Sequence, residues 1–318
     1  MLGACSISGL PGIGGPSLVK VYAATSNGFS FSENNGTSWD TFTTGLPTNV
    51  VNGLFAVNSG SYVTVYAATT GGLSATTNSG QSWSTLLSTS ATEVFVSGFG
   101  STATIYVATS TGLPISVDGG VTWPATPALS GIPVSGVVAT SNGVTATVYA
   151  SVSNNGTNNG LWVSADNGTT WTATPYAPTG TAGSNVYGVF DDGTNVYAAT
   201  DSGLFVTPNG FSSSWTGYLV GTITNAVYVL GGNIYAATNA GLSVSTTSGA
   251  SWTTYTTANG LGSNIVLGAY AVSTIAGTFI YAATTGGISI SLNGGSTWRN
   301  YTTANGLGSN TVNGVFAQ

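Results

Sequence analysis

The chain has 318 residues, of which only 3% are charged, against roughly a quarter in an ordinary soluble domain. It contains two basic residues, eight acidic residues, one cysteine and no histidine. These numbers exclude a basic surface for nucleic acid or anionic lipid, an intramolecular disulfide framework, and acid–base or metal chemistry that depends on histidine. The formal net charge of −6 is weak repulsion for so large a surface, and it permits association between copies.

The N-terminal segment is rich in Gly and Pro and precedes the first repeat. We therefore predict an arm over residues 1–19 and one folded unit over residues 20–318. Leu2-Gly3-Ala4-Cys5 resembles a bacterial lipobox, which would make Cys5 a lipid anchor, although no charged and hydrophobic signal region precedes it. The alternatives for Cys5 are a buried small residue and an intermolecular disulfide.

A repeat organises the rest of the chain. The segment Tyr-Ala-Ala-Thr, or a close variant, recurs at spacings of 38 to 48 residues, beginning at Tyr22, Tyr66, Tyr106, Tyr149, Tyr197, Tyr235 and Tyr281. Each copy continues to a Gly with a large apolar neighbour and then to a tryptophan, namely Trp39, Trp83, Trp123, Trp171, Trp215, Trp252 and Trp298. Seven copies with a period near 40 residues predict seven propeller blades.

Each repeat contains four short runs of β-branched and aromatic residues, bounded by Gly, Asn and Ser. No segment has a helical period, and no run approaches the roughly 18 apolar residues of a membrane-spanning helix. The first repeat lacks one strand, and Thr311 to Gln318 matches it. We therefore predict an all-β, seven-bladed propeller of four-stranded antiparallel blades, closed by the C-terminal strand pairing into the first blade.

The turns before the tryptophans read Ser116-Val-Asp-Gly-Gly-Val-Thr-Trp123 and Ser164-Ala-Asp-Asn-Gly-Thr-Thr-Trp171, with looser versions elsewhere. They resemble the Asp-box, or bacterial neuraminidase repeat, of sialidases, xyloglucan-type glycosidases, sortilin-like receptors and photosystem II assembly-factor-like propellers. The resemblance implies a structural turn on the rim of the ring, and it names no activity. The positions that match the box aspartate and would form the turn are Asn34, Asn78, Asp118, Asp166, Asn209 and Asn293. In the sixth copy Thr247 replaces it.

Catalytic candidates are few. A sialidase-like site needs an arginine cluster, and the chain has one arginine. A glycosidase of the xyloglucan kind needs two carboxylates that face each other across a cleft. Most of the acidic residues have an explanation in turns, so Glu93 and Asp201 form the one plausible acid pair. We expect no enzyme activity, no metal and no cofactor.

The fourth repeat has the longest loop, which leads to Trp162, the one tryptophan outside the repeat pattern. A carbohydrate could stack on Trp162 and bind the amides of Asn158 and Asn159, with Asp201 nearby. The plainer interpretation packs Trp162 between blades. Four sequons begin at Asn35, Asn155, Asn167 and Asn300, a number that chance explains in so Asn-rich a chain.

Taken together, these features favour a non-enzymatic secreted structural protein, a subunit of an extracellular filament or surface assembly formed by stacked rings. Uncharged faces cost little to desolvate, so the expected partner is a further copy of the chain. The first alternative is a carbohydrate-binding or adhesion propeller, whose partner would be a glycan. The second is a lipid-anchored assembly factor. Every alternative places the protein outside the cell or on its surface, with neither a nucleic-acid partner nor a membrane span.

Overall fold

The computed structural model describes residues 18–60, 62–141, 143–153, 159–174, 184–209 and 215–318. Its strands form seven antiparallel sheets, here called blades, arranged around a central channel. Neighbouring innermost strands contact one another from blade to blade, and the last contacts the first, so the ring is closed. The predicted seven-bladed propeller is confirmed.

The strands are numbered along the chain. The innermost strands, from blade 2 to blade 7 and then blade 1, are β4 (Val51–Asn58), β8 (Ala91–Ser97), β11 (Val134–Ser141), β15 (Val186–Asp191), β19 (Thr224–Leu230), β23 (Val266–Thr274) and β27 (Val312–Ala317). The second strands, from blade 1 to blade 7, are β1 (Val21–Thr25), β5 (Val63–Thr69), β9 (Thr104–Thr109), β12 (Ala146–Val152), β16 (Asn195–Thr200), β20 (Asn233–Thr238) and β24 (Gly277–Thr284).

The third strands are β2 (Gly28–Ser32), β6 (Gly72–Thr76), β10 (Ile115–Ser116), β13 (Gly160–Ser164), β17 (Gly203–Pro208), β21 (Gly241–Ser245) and β25 (Gly287–Ser291). The outer strands are β3 (Asp40–Phe42), β7 (Ser84–Leu87), β14 (Thr172–Ala173), β18 (Thr216–Tyr218), β22 (Thr253–Tyr255) and β26 (Arg299–Tyr301). Within the described ranges, three short 3-10 helices lie at Gly100–Thr102, Thr257–Asn259 and Thr303–Asn305.

Blade 3 differs from the other six because its outer strand is reduced. Its sheet has three strands, and a single bridge between Leu113 and Ala128 takes the fourth position. Pro124 and Pro127 lie in this segment, and proline lacks the backbone N–H that a strand needs for its ladder. The repeat pattern predicted a full strand here, and these prolines explain the difference.

The ring closes by pairing its two ends, as the sequence predicts. Strand β27 pairs with β1 in antiparallel register, with Tyr22 opposite Phe316. Lys20 and Gln318 exchange backbone hydrogen bonds of 2.8 and 3.0 Å beyond the paired strands. Val19 is also buried, and its N–H donates to Asn35 Oδ1 over 2.6 Å. Main-chain bonds between the two ends therefore leave β1 without an unpaired edge.

The core lies between the blades, along their second strands. Every described residue from Val21 to Thr25 is buried, and the other Tyr-Ala strands repeat this pattern. Alanine pairs such as Ala23 and Ala24 have no exposed surface. A strand buried on both faces must be apolar throughout, and small alanines allow the neighbouring sheets to approach closely.

The alternation of strand direction gives the ring two faces. The turn face carries the hairpins that join first to second strands and the turns that join third to outer strands. The loop face carries the hairpins that join second to third strands and the connections from each outer strand to the next blade. On the loop face, Asn27 Nδ2 donates to Gly308 O over 3.1 Å, and Ser26 Oγ donates to Ser309 Oγ over 2.7 Å.

Candidate functional site

The turns before the tryptophans lie on the turn face, and five of them are stabilised by hydrogen bonds within the turn. In five of them an Asp or Asn side-chain oxygen accepts a backbone N–H from four residues later, over 2.8 to 3.0 Å. The same oxygen accepts the hydroxyl of the Ser or Thr two residues earlier. The residues that provide this oxygen are Asn34, Asn78, Asp118, Asp166 and Asn293. They act as structural braces within their own turns.

The other two turns differ from the sequence expectation. Thr247 uses its hydroxyl in place of a carboxylate or amide, accepting the N–H of Ser251 over 2.9 Å. In the other turn, Asn209 Nδ2 donates to Asp191 Oδ1 over 3.1 Å, and residues 210–214 lie outside the described residues. Asp191 is fully buried and also accepts the hydroxyl of Thr140 over 2.9 Å. Asn209 therefore ties its turn to a buried carboxylate in its own blade.

The proposed carbohydrate residues fall on the loop face between blades 4 and 5. Asn159 Nδ2 donates to Asn185 Oδ1 over 3.0 Å, and Asn185 Nδ2 donates to Asp201 Oδ2 over 3.1 Å. Asn185, which the sequence analysis missed, therefore joins Asn159 to Asp201. Trp162 is half-buried and packs against the core between the blades. Asn158 and Asn155 lie outside the described residues, as does Cys5.

The structure does not bring Glu93 and Asp201 together across the channel. Glu93 lines the channel wall, whereas Asp201 does not. Asp201 accepts hydrogen bonds from Asn185 and Ser202 in its own loops. An acid pair of the glycosidase type is therefore not formed by these two residues, because their loops and strands lead them to different surfaces.

The channel is lined by the seven innermost strands and has a volume of about 1680 Å³. Five of these strands carry glycine at the same register position, one carries Ala226 and one carries Glu93, and we call these seven residues the glycine ring. The five glycines are Gly53, Gly136, Gly188, Gly268 and Gly314, each opposite a small residue of the second strand. A Cβ at Gly53 would lie 3.1 Å from Thr92 O, so the innermost strands approach closely here.

Two residues further along each innermost strand, the side chains form an aromatic collar around the channel. Its members, in ring order, are Phe95, Phe55, Phe316, Tyr270, Tyr228 and Phe190, with centroid separations of 5.0, 5.6, 4.7, 4.3 and 5.3 Å between successive rings. Each lies opposite the repeat tyrosine of its blade, as Phe55 does opposite Tyr66. In blade 4 the equivalent residue is Val138, so the collar has a gap there.

A β-bulge at the start of every innermost strand turns one side chain toward the next blade. At five bulges that side chain donates to a backbone carbonyl of the neighbouring innermost strand, over 2.7 to 3.1 Å. We call these bonds latches, and their donors are Asn52, Thr92, Ser135, Asn225 and Asn313. The other two bulges hold Tyr187 and Leu267. In the sequence the latch donor is a polar residue directly before the glycine-ring residue, which is Gly in three of the five cases, Glu93 after Thr92 and Ala226 after Asn225. This signal can be recognised once the bulge is known.

Exposed apolar side chains are unevenly distributed between the faces. Eleven large ones are exposed among the described residues. Three lie on the loop face, namely Val220, Ile223 and Ile265. Eight lie on the turn face, namely Leu18, Tyr62, Phe99, Val117, Val121, Val144, Ile275 and Leu292. These eight belong to blades 7, 1, 2, 3 and 4, which are consecutive around the ring, and we call them the apolar arc.

Burial and hydrogen bonding shift the pKa values of Glu93 and Asp118. Burial raises the pKa of Glu93 to about 7, and the N–H of Val137 partly offsets this. Hydrogen bonds from the Thr122 side chain and backbone hold the pKa of Asp118 at about 2. Among the described residues, no group of three or more acidic or cysteine side chains is placed to hold a metal ion. The same residues include no helix long and apolar enough to span a membrane.

No protein-family model matches the chain, and a comparison with curated proteins finds no significant match. Solved structures do match. The chain is 15% identical to the extracellular domain of a one-component system from B. thetaiotaomicron, with a TM-score of 0.64 over 87% of this chain and 39% of that one. An ancestral GH74 enzyme is 20% identical, with a TM-score of 0.64 over 88% and 44%.

A third match is PorZ, a surface component of the type-IX secretion system of Porphyromonas gingivalis. It is 15% identical, with a TM-score of 0.59 over 87% of this chain and 44% of that one. The chain spans less than half the length of these three structures. Their functions differ while their architecture is shared, so what the similarity shows is the fold. The chain is a seven-bladed β-propeller of the kind found in extracellular domains, glycoside hydrolases and secretion components.

Proposed function

We propose that the chain is a non-enzymatic extracellular subunit whose rings associate with one another through the turn face. The apolar arc carries this proposal, because eight of the eleven exposed large apolar side chains lie on that face. Surface patches of this kind are typical of association sites. The turn face also carries Lys20, Glu33, Asp118, Asp166 and Asp192, of which Lys20 and Glu33 pair at 3.6 Å, so these charged side chains belong to the solvated rim of the proposed contact.

The self-contained turns make this face suitable for contact. Each brace bonds within its own turn, as Asn78 does with Thr76 and Ser82. A neighbouring ring could therefore cover Tyr62, Phe99 or Ile275 without breaking bonds that hold the blades together. The partner best supported is a second copy of the chain, since the surface offers apolar area and few charges for any other recognition.

The N-terminal arm begins on the same face. Leu18 precedes β1 at its turn-face end and is exposed, and the 17 residues before it contain no charged side chain. An arm that reaches the next ring would make the contact heterologous, and heterologous contacts extend into filaments where the rotation does not close. The arm is therefore the proposed connector of a filament or surface layer.

The test compares the full chain with a chain that lacks residues 1–17, by negative-stain electron microscopy and light scattering. The deletion stops before Val19, because Val19 packs into the ring and bonds to Asn35. We expect ordered rods or sheets from the full chain and single rings, or pairs of rings, from the shortened one. Single rings from both, over a wide concentration range, would contradict the proposal.

A second candidate function is carbohydrate binding on the loop face, favoured by the bonded series Asn159, Asn185 and Asp201. Amide and carboxylate groups are the usual partners of sugar hydroxyls, and Trp162 lies on the adjacent strand β13. Binding on a glycan array that is lost in both Trp162→Ala and Asn185→Ala would support this function. Binding that both variants retain would contradict it.

A further inference from the structure

Glu93 occupies a place in the ring where its charge serves no structural purpose. The other six members of the glycine ring are five glycines and Ala226, which pack without a polar group. The Glu93 side chain reaches from blade 3 to blade 4, and its Oε2 lies 2.7 Å from where a Cβ of Gly136 would be. Gly136 therefore leaves the space that the carboxyl fills.

Neither basic side chain of the chain balances this carboxyl. Of the two basic residues, Lys20 pairs with Glu33, and Arg299 is exposed on outer strand β26. The described residues that line the channel include the acids Glu93 and Asp192 but neither basic residue. The N–H of Val137 offsets only part of the cost of removing water from this carboxyl, and such incompletely compensated groups mark candidate functional sites.

The gap in the aromatic collar lies beside this carboxyl. Glu93 and Phe95 pair regularly with Ala108 and Tyr106, so both side chains leave β8 on the same face. On the neighbouring strand, Val138 follows Gly136 by two residues and replaces the seventh aromatic ring. The carboxyl and the gap therefore lie at the same blade interface, with the rings of Phe95 and Phe190 on the strands to either side.

We propose that the channel binds a small organic ammonium ion, its charge beside Glu93 and its apolar groups against the aromatic collar in the gap at Val138. Aromatic faces attract ammonium groups through their quadrupole, and a nearby carboxylate supplies the counter-charge. The net acidic lining favours a cation over an anion. This site is separate from the turn face and does not depend on self-association.

The test is calorimetric titration of the full chain with choline, and with dimethylbutanol as its uncharged carbon isostere. We expect saturable binding of choline and binding of the isostere that is weaker by about tenfold. Burial raises the pKa of Glu93 to about 7, so the carboxyl of the free protein is largely protonated at about pH 6. Binding at that pH should release a proton, which titrations in two buffers of different ionisation enthalpy measure.

The other titratable groups near Glu93 stay neutral at this pH. The strands packed against β8 include Tyr66 on β5 and Tyr106 on β9, and burial raises the pKa of both hydroxyls. Strands β4, β6 and β11 bring no titratable side chain to β8. Proton release on binding would therefore report Glu93.

Two variants and a control complete the test. Glu93→Gln should weaken choline binding by about tenfold and abolish proton release. Val138→Phe should fill the gap and block binding while thermal unfolding still shows a folded ring. Asp201→Asn removes a carboxylate outside the channel and should bind choline as the wild type does. Equal binding of choline and dimethylbutanol, wild-type affinity in Glu93→Gln, or no choline binding at millimolar concentration would each overturn the proposal.

Discussion

The two ends of the blades are held together in different ways. At the loop-face end, latches such as the bond from Asn313 to Val51 cross from blade to blade, and the glycine ring brings the innermost strands close together. At the turn-face end, the five braces bond within their own turns, as Asn293 does with Thr297, and the bond from Thr140 to Asp191 is an exception that joins blades 4 and 5. Most bonds between blades therefore lie at the loop-face end. At the turn-face end, more large apolar side chains are exposed to solvent.

This difference explains where the apolar side chains are exposed. Loop-face residues take part in bonds between blades, for example Asn225 Nδ2 to Val266 O at 2.8 Å, and in bonds to the connections that link blades, for example Thr41 Oγ1 to Gly306 O at 2.8 Å. On the turn face, the side chains of Val144 and Ile275 are almost fully exposed. Under the proposed function, the bonds that hold the ring together and the surface that associates lie mainly on opposite faces.

The largest stability effect is expected at Glu93, in the tightly packed loop-face end. Its folded pKa of about 7 lies above the ordinary value of 4.5, so its contribution to stability is fully present below pH 4.5 and is lost as the pH rises through 7. The carboxyl keeps part of its surface in the channel, so we expect a loss of about 2 kcal/mol. Urea unfolding across this pH range should show the decline in the wild type and a flat profile in Glu93→Gln. An equal decline of stability with pH in the wild type and in Glu93→Gln would contradict this role of Glu93.

The next effect concerns the latches. Asn313→Leu removes the 2.7 Å bond to the carbonyl of Val51, a fully buried residue, and should cost about 1 kcal/mol in urea unfolding. Leu267→Asn is the matched variant, because Leu267 occupies the same bulge position without a latch. It should leave stability unchanged or raise it slightly. If both variants lower the free energy of unfolding by the same amount, the latches do not stabilise the contact between blades.

The smallest effect is expected at the turn-face braces. Asp118→Asn should leave the unfolding midpoint at neutral pH unchanged, because Asn34 and Asn78 make the same bonds in their turns. Asp118→Ala should lower the midpoint, since the N–H of Thr122 then loses its acceptor. The pKa of Asp118 is held at about 2, so its contribution in the wild type is lost only as the pH falls toward that value. Thermal unfolding of the three proteins measures the difference.

How far the sequence predicts the molecule depends on which contacts are local. The blades, the closure by β27 and the Tyr-Ala core follow from strand patterns that repeat along the chain. The latches, the collar and the Asn185 link join residues of different blades, so the sequence shows the recurring polar and aromatic positions but not the partners that they contact. At Thr247 the local sequence pattern is lost but the bond is kept. Its hydroxyl accepts the same N–H that an aspartate would accept at this position.

Size-exclusion chromatography with light scattering on two matched double variants tests whether the rings associate through the turn face. Val144→Glu with Ile275→Glu places charges in the apolar arc, and Val220→Glu with Ile265→Glu places the same charges on the loop face, all at exposed positions. We expect the wild type and the loop-face variant to assemble while the turn-face variant remains a single ring. Assembly of the turn-face variant at wild-type levels, or its loss in the loop-face variant alone, would contradict the account.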